Sequence, residues 1–195
     1  MASTTRIPRT ELTGLSGALV KIMTRKRFGA VPEPVEVMWN HPDVFKDLSA
    51  FSRKTKNWNQ VDPSLKSFAH MAVASLVGCR FCLDLGYFHA HNQGLDEVKA
   101  REVPRWREST VFTPLERQVM EYAEAMSQTP PTVTDEMSAA LLEQLGAPAL
   151  VELTSFVAAA NMGARTNTAL GIEAQGFAAS CGLQPLAQPT TTKHS

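Results

Sequence analysis

Cysteine is scarce in this chain, with three in 195 residues, too few for the disulfide framework of a small secreted domain. Excess charge is missing as well: 19 basic and 19 acidic residues cancel to a formal net charge of zero. Net charge therefore gives no reason to expect a nucleic acid or an anionic membrane as partner. No window approaches the roughly 18–20 consecutive apolar residues that a membrane-spanning helix needs. The first nine residues hold no apolar run of signal-peptide length, so the expected location is cytoplasmic. Nor does any run alternate polar and apolar residues long enough to argue for a strand.

What remains is a chain with 44% hydrophobic residues, long enough to bury a core as one domain. Its boundary signals belong to helices. One helix is expected after Thr13, ending near Gly29, with Arg25, Lys26 and Arg27 as a solvated basic end that complements the helix dipole. His41-Pro42-Asp43 opens another, with Val44, Phe45, Leu48 and Phe51 at helical spacing. Asp62-Pro63 is a cap followed by proline at the first helical position. The helix after it carries a broad apolar stripe through Leu65, Phe68, Ala69, Ala72, Val73 and Leu76, which marks it as central. Thr113-Pro114-Leu115-Glu116 has the form of a capping box. Thr134-Asp135 starts a helix that stops near Gly146, and Pro148 opens the last long one. Residues 102–106 read as an irregular connection. The expectation is all-α, a single domain over residues 1–183, with 184–195 as a disordered tail.

Chemistry concentrates in Gly78-Cys79-Arg80-Phe81-Cys82. Two thiols three positions apart on a helix share a face, about 4.5 Å apart along the axis. Bridged Cα atoms are usually about 4.4–6.8 Å apart, so this pair can close a disulfide with little backbone movement. In a reducing compartment such a pair points to redox or metal chemistry rather than to a structural bridge. Cys79, Cys82, His89 and His91 hold the right atoms for zinc. On one helix, however, Cys79 and His89 stand about 15 Å apart along the axis, and His89 and His91 point to different sides. No metal is therefore expected, and no cofactor. Cys181 reads as a small buried or half-buried residue.

In order along the chain, residues 79–86, 103–108, 112–125, 151–154 and 161–167 resemble the AhpD-like, carboxymuconolactone decarboxylase family, over about residues 37–177. The resemblance implies an AhpD-like helical bundle with the CxxC at the junction of a core helical hairpin. It also implies a homo-oligomer, often a trimer or built from trimers. By the same resemblance Cys82 attacks a hydroperoxide or disulfide and Cys79 resolves the sulfenic acid, with a thiol-disulfide carrier as electron donor. The family's relay places a His four residues after the second Cys, where this chain has Gly86. It places a Glu twelve residues before the first, where this chain has Ser67.

His89, seven residues after Cys82, or His70, on the preceding helix, is then expected as the base, with His89 preferred. Asp84 points to another side of the helix from Cys82. Arg165, beside Asn161 and Asn167, has the forked guanidinium that holds a carboxylate, or ties helices together. Tyr87 and Trp106, with Trp58, Phe81 and Phe88, are candidates for an apolar substrate wall or for core. The leading expectation is a thiol peroxidase of the alkylhydroperoxidase kind. The rivals are a cofactor-free lyase of a small carboxylate or lactone, and an inactive binding homologue.

Overall fold

The structure, a computed structural model, describes residues 5–189. Among these residues it is entirely helical: α1 (Gly14–Phe28), α2 (Glu33–Met38), α3 (Pro42–Lys56), α4 (Pro63–Val77), α5 (Arg80–Asn92), α6 (Glu97–Glu102), α7 (Pro114–Ser127), α8 (Asp135–Leu145), α9 (Ala147–Ala169) and α10 (Phe177–Ser180). A single 3-10 turn, Val103–Arg105, takes the place of the irregular connection expected at 102–106.

The capping chemistry explains most of the boundaries. Asp62 accepts from the backbone N–H of Ser64 at the start of α4. Thr113 and Glu116 form the reciprocal capping box of α7, each satisfying a backbone donor of the other. Gly29 and Gly78 close α1 and α4 in the left-handed conformation that glycine adopts without strain.

α4 is the central element and packs on α5, α7 and α9. Its Phe68, Met71 and Val73 are fully buried. Burial of each such side chain stabilises the fold by about 1.5–3 kcal/mol. One side of α4 faces a core shared with Val119, Ala123, Leu153 and Val157. The other faces a second cluster with Tyr87, Trp106, Phe112 and Met120. Only Gly78 separates α4 from Cys79, the cap of α5, so the two helices form a tight hairpin with the CxxC at its junction.

The tail expected to be disordered from residue 184 differs in its described part. Residues 184–189 lie along α6, where Ala187 N donates to Arg101 O (3.0 Å) and Arg101 Nε donates to Pro185 O (3.0 Å). Two paired backbone groups and the burial of Ala187 hold this segment in place. Residues 190–195 lie outside the described residues.

Candidate active site

The site begins at the break between α4 and α5. Gly78 turns the chain, Cys79 N donates to Ala74 O, and Cys79 becomes the residue that caps α5. Its sulfur accepts from the backbone N–H of Cys82 (3.2 Å), one of the donors that a helix start leaves unpaired. The Cα atoms of Cys79 and Cys82 are 5.3 Å apart and the two sulfurs are joined in a disulfide. Cys79 is 1% exposed and Cys82 5%, so both are buried and Cys82 slightly less so. Both sit at the positive end of the α5 dipole, which favours thiolate over thiol.

A contact from another helix reaches the pair. Asn167, in the last turns of α9, directs its Nδ2 at Cys82 Sγ (3.4 Å). α9 is itself held by the end of α7: Asn161 Nδ2 donates to Ser127 Oγ (2.8 Å), and Arg165 Nη2 donates to Ser127 O (2.6 Å). Arg165 thus ties α9 to α7 through one of its N–H groups while the residue stays exposed. Asp84 is buried and accepts from the backbone N–H groups of Gln175, Phe177 and Ala178 at 2.9–3.0 Å. It thus pins α10 against α5, and Phe177 completes a group of rings with Phe28, Phe81 and Phe88 beside the thiols.

On the other side of the hairpin, a Cβ on Gly86 would lie 3.2 Å from His70 Nδ1 and 2.9 Å from Met71 Cγ. The imidazole of His70 thus occupies the space where a side chain at position 86 would start. His89 follows one turn later on α5 and accepts from Arg27 Nη2 at 3.5 Å through Nδ1. Arginine has no acceptor, so this contact places the His89 proton on Nε2. Burial lowers the pKa of His70 to about 4, helped by the positive charge of Lys56. Burial likewise lowers His89 to about 3, aided by Lys56, Arg27 and His70 in that order. Both rings are neutral at physiological pH.

A model of the carboxymuconolactone decarboxylase family matches residues 42–125, the stretch from α3 to α7 that carries this site. The uncharacterized protein YnjA of Escherichia coli K12 is 34% identical over 154 residues, 78% of this chain and 85% of that protein. The chain belongs to the carboxymuconolactone decarboxylase family.

Solved structures agree in fold. The AhpD-core, peroxidase-related protein from Ralstonia eutropha JMP134 superposes with a TM-score of 0.76 at 14% identity, covering 91% of this chain and 96% of that one. The debrominase Bmp8, solved in complex with 2,3,4-tribromopyrrole, gives a TM-score of 0.75 at 19% identity, covering 92% and 100%. At these identities the likeness is one of fold.

Within this family frame, the residues chosen from sequence divide clearly. Cys79 and Cys82 are joined in the first turn of α5, while His70 lies against Gly86 and His89 against Arg27 further along the hairpin. Tyr87 and Trp106 do not join them: at 2% and 6% exposure they pack with Phe68, Met71 and Met120 in the second core cluster. Trp106 Nε1 there donates to Glu124 (2.8 Å). They are core, not substrate wall, because position 87 falls on a different face of α5 from position 82. His91 pairs with Glu97 at the surface. Among the described residues no three His, Cys, Asp or Glu side chains converge as a metal site would require. Cys181 is exposed rather than buried. A cleft of about 350 Å³, lined by Trp58, Gln60, Pro148 and Glu152 among others, lies on the α3–α9 side and includes neither cysteine.

Sequence reasoning missed the specific parts played by Asn167, Phe28, Phe177 and Arg27. Asn167 and Arg27 were singled out only as members of groups, and local spacing gives no signal for their contacts across helices. No helix of the described chain is long and apolar enough to cross a membrane.

Proposed function

We propose that this chain is a thiol-disulfide oxidoreductase that reduces a hydroperoxide or a disulfide through Cys82 and Cys79. The observation that carries this reading is the bonded pair in the first turn of α5, with a side-chain amide aimed at Cys82. In the reduced protein the Cys82 thiolate attacks one peroxide oxygen and the O–O bond breaks. The departing alkoxide takes up a proton and leaves as alcohol, while Cys82 becomes a sulfenic acid. Cys79 then attacks the Cys82 sulfur, an S–S bond forms, and water leaves. An external dithiol carrier reopens the bridge and ends as a disulfide. In that step the carrier attacks Cys82 and Cys79 departs, stabilised as thiolate by the Cys82 N–H and the helix dipole.

His70 supports the same reading, since it brings an imidazole from α4 to the position where the resembled relay carries one on α5. It accepts the thiol proton directly or through a bridging water, with His89 one turn beyond. The lyase alternative is less well supported, because the chain keeps the bonded thiol pair that such acid-base chemistry does not use. Location in the cytoplasm, where thiol carriers are reduced, fits a chain with an exposed free Cys181. Assembly as a homo-oligomer fits the exposed apolar Leu15, Leu19, Ile22 and Met23 on α1.

Counting thiols in denaturant tests the proposal. The reduced protein has three; one equivalent of an organic hydroperoxide should leave one, that of Cys181. Steady turnover should follow when a dithiol is supplied, and should vanish in Cys82→Ser. A count still at three after peroxide defeats the reading. Because Bmp8 on this fold is a debrominase, a bromopyrrole belongs in the substrate panel.

A further inference from the structure

Four basic groups from four helices lie within electrostatic reach of one another beside the α4–α5 hairpin. Arg27 ends α1, Lys56 ends α3, His70 belongs to α4 and His89 to α5. Arg27 reaches His89 at 3.5 Å, and His70 lies against Gly86, four residues after Cys82 and about 6 Å further along the helix axis. Exposure grades inward: Arg27 and Lys56 are exposed, while His70 and His89 are half-buried below them.

Among the described residues the acidic partners within ion-pair distance belong to other cations, and neither Arg27 nor Lys56 has one. The positive groups also repel one another. Burial and then the Arg27 charge hold the Lys56 ammonium below its usual pKa. A bound anion is the counter-charge that relieves this repulsion. Next to the cluster, the Phe28 and Phe88 rings stand 5.9 Å apart and present an apolar surface.

We propose that Arg27 and Lys56, with His70 and His89 below them, form an anion-recognition pocket that delivers carboxylate-bearing organic hydroperoxides or disulfides to Cys82. The inference rests on the redox reading above and narrows it to a substrate class. Arg27 and Lys56 bind the carboxylate, the phenylalanine rings take the apolar body, and the reacting O–O or S–S bond reaches the sulfur one to two helical turns away. Burial is the main cause that lowers both histidines, and a bound carboxylate offsets the smaller part due to Lys56, and at His89 also to Arg27.

Two aromatic disulfides test this directly. Dithiobis(nitrobenzoate) is a dianion and dithiodipyridine is neutral; each reports its reaction with a reduced thiol by absorbance. In a Cys181→Ser background, the ratio of their rate constants at Cys82 should fall on the order of ten-fold in Arg27→Gln/Lys56→Gln, the scale of a few partly screened charge contacts. Arg27→Lys should keep most of the ratio, and raising salt should erode it in the parent. A ratio within about two-fold of the parent in the double variant overturns the inference. Failure of both disulfides to react at Cys82 would instead count against the redox reading. The pocket is then decided on the oxidised protein, by histidine ring proton shifts in NMR on titration with benzoate. Saturable shifts at His70 and His89 that vanish in the double variant support it, and their absence in the parent refutes it.

Discussion

Asn167 Nδ2 points at Cys82 Sγ across 3.4 Å, joining the end of α9 to the first turn of α5. The helix that carries the amide is held in place by Asn161 and Arg165, six and two residues earlier, which are fastened to Ser127 at the end of α7. The reactive sulfur thus takes a donor from a helix 85 positions away in sequence.

Removing that donor should leave the Cys82 thiolate less stable. Asn167→Ala is expected to raise the Cys82 thiol pKa by about one unit, or about 1.4 kcal/mol, with slower reaction below that pKa. Titration of thiolate absorbance in the reduced Cys181→Ser protein measures it. An unchanged pKa would mean that the helix start alone sets thiol acidity.

Gly86 should tolerate almost nothing larger. Gly86→Ala places a methyl group 2.9 Å from Met71 Cγ and 3.2 Å from His70 Nδ1, within a buried hairpin. A loss of about 1–3 kcal/mol on urea unfolding is expected, the range for overpacked cores. Relief is available on the α4 side. His70→Gly combined with Gly86→His moves the imidazole from one helix to the other and should recover peroxide turnover that His70→Gly alone loses. If the pair keeps the urea midpoint of the single variant and yet is no more active, His70 does not act as the base.

The sequence was most legible where chemistry is local. Thr113 and Glu116 cap a helix whatever packs around it, and Asp62-Pro63 and Gly146 likewise mark their boundaries. The CxxC was legible for the same reason: its spacing alone fixes the thiols on one turn. Legibility ended where function depends on which faces meet. Tyr87 and Phe88 are adjacent in sequence and both aromatic, yet one is core and the other lies beside the site, a distinction set by the packing of α4 and α10. Arg27 looked like a solvated helix end, because the return of α5 to within reach of it is a property of the fold.

Acidification should destabilise the protein through the same histidines. Their folded pKa values, about 4 for His70 and about 3 for His89, lie below the ordinary 6.5. Between those values the unfolded chain binds more protons, so stability falls as pH drops below 6.5 and is unaffected above it. Each group accounts for up to about 1.4 kcal/mol per pH unit in that window. Arg27 and Lys56 are the charged groups that face the two rings. Urea midpoints from pH 7 down to about 5 should therefore decline in the parent and flatten in His70→Gln/His89→Gln. Equal slopes in the two proteins would show that the rings titrate normally.

Stability of the opposite end of α4 rests on one buried ion pair. Lys66 Nζ donates to Glu152 (3.0 Å) and to Trp58 O (2.5 Å), and the same carboxylate accepts from Gln60 N (2.7 Å) and Val61 N (3.3 Å). Glu152 therefore fastens α9, α4 and the loop before α4 together. Both side chains are buried, so deleting one leaves the other as an uncompensated charge, at a cost of about 3–5 kcal/mol. Lys66→Met and Glu152→Met should each cost that much. The double variant buries no charge and should be less destabilised than the sum of the two, although Gln60 and Val61 still lose their acceptor. A double-mutant cycle by urea unfolding gives the coupling directly, and additive losses would show that the carboxylate acts through the loop amides alone. Because the pair lies on the α3–α9 side, the Cys82 thiol pKa should stay put in all three variants even as the unfolding midpoint moves.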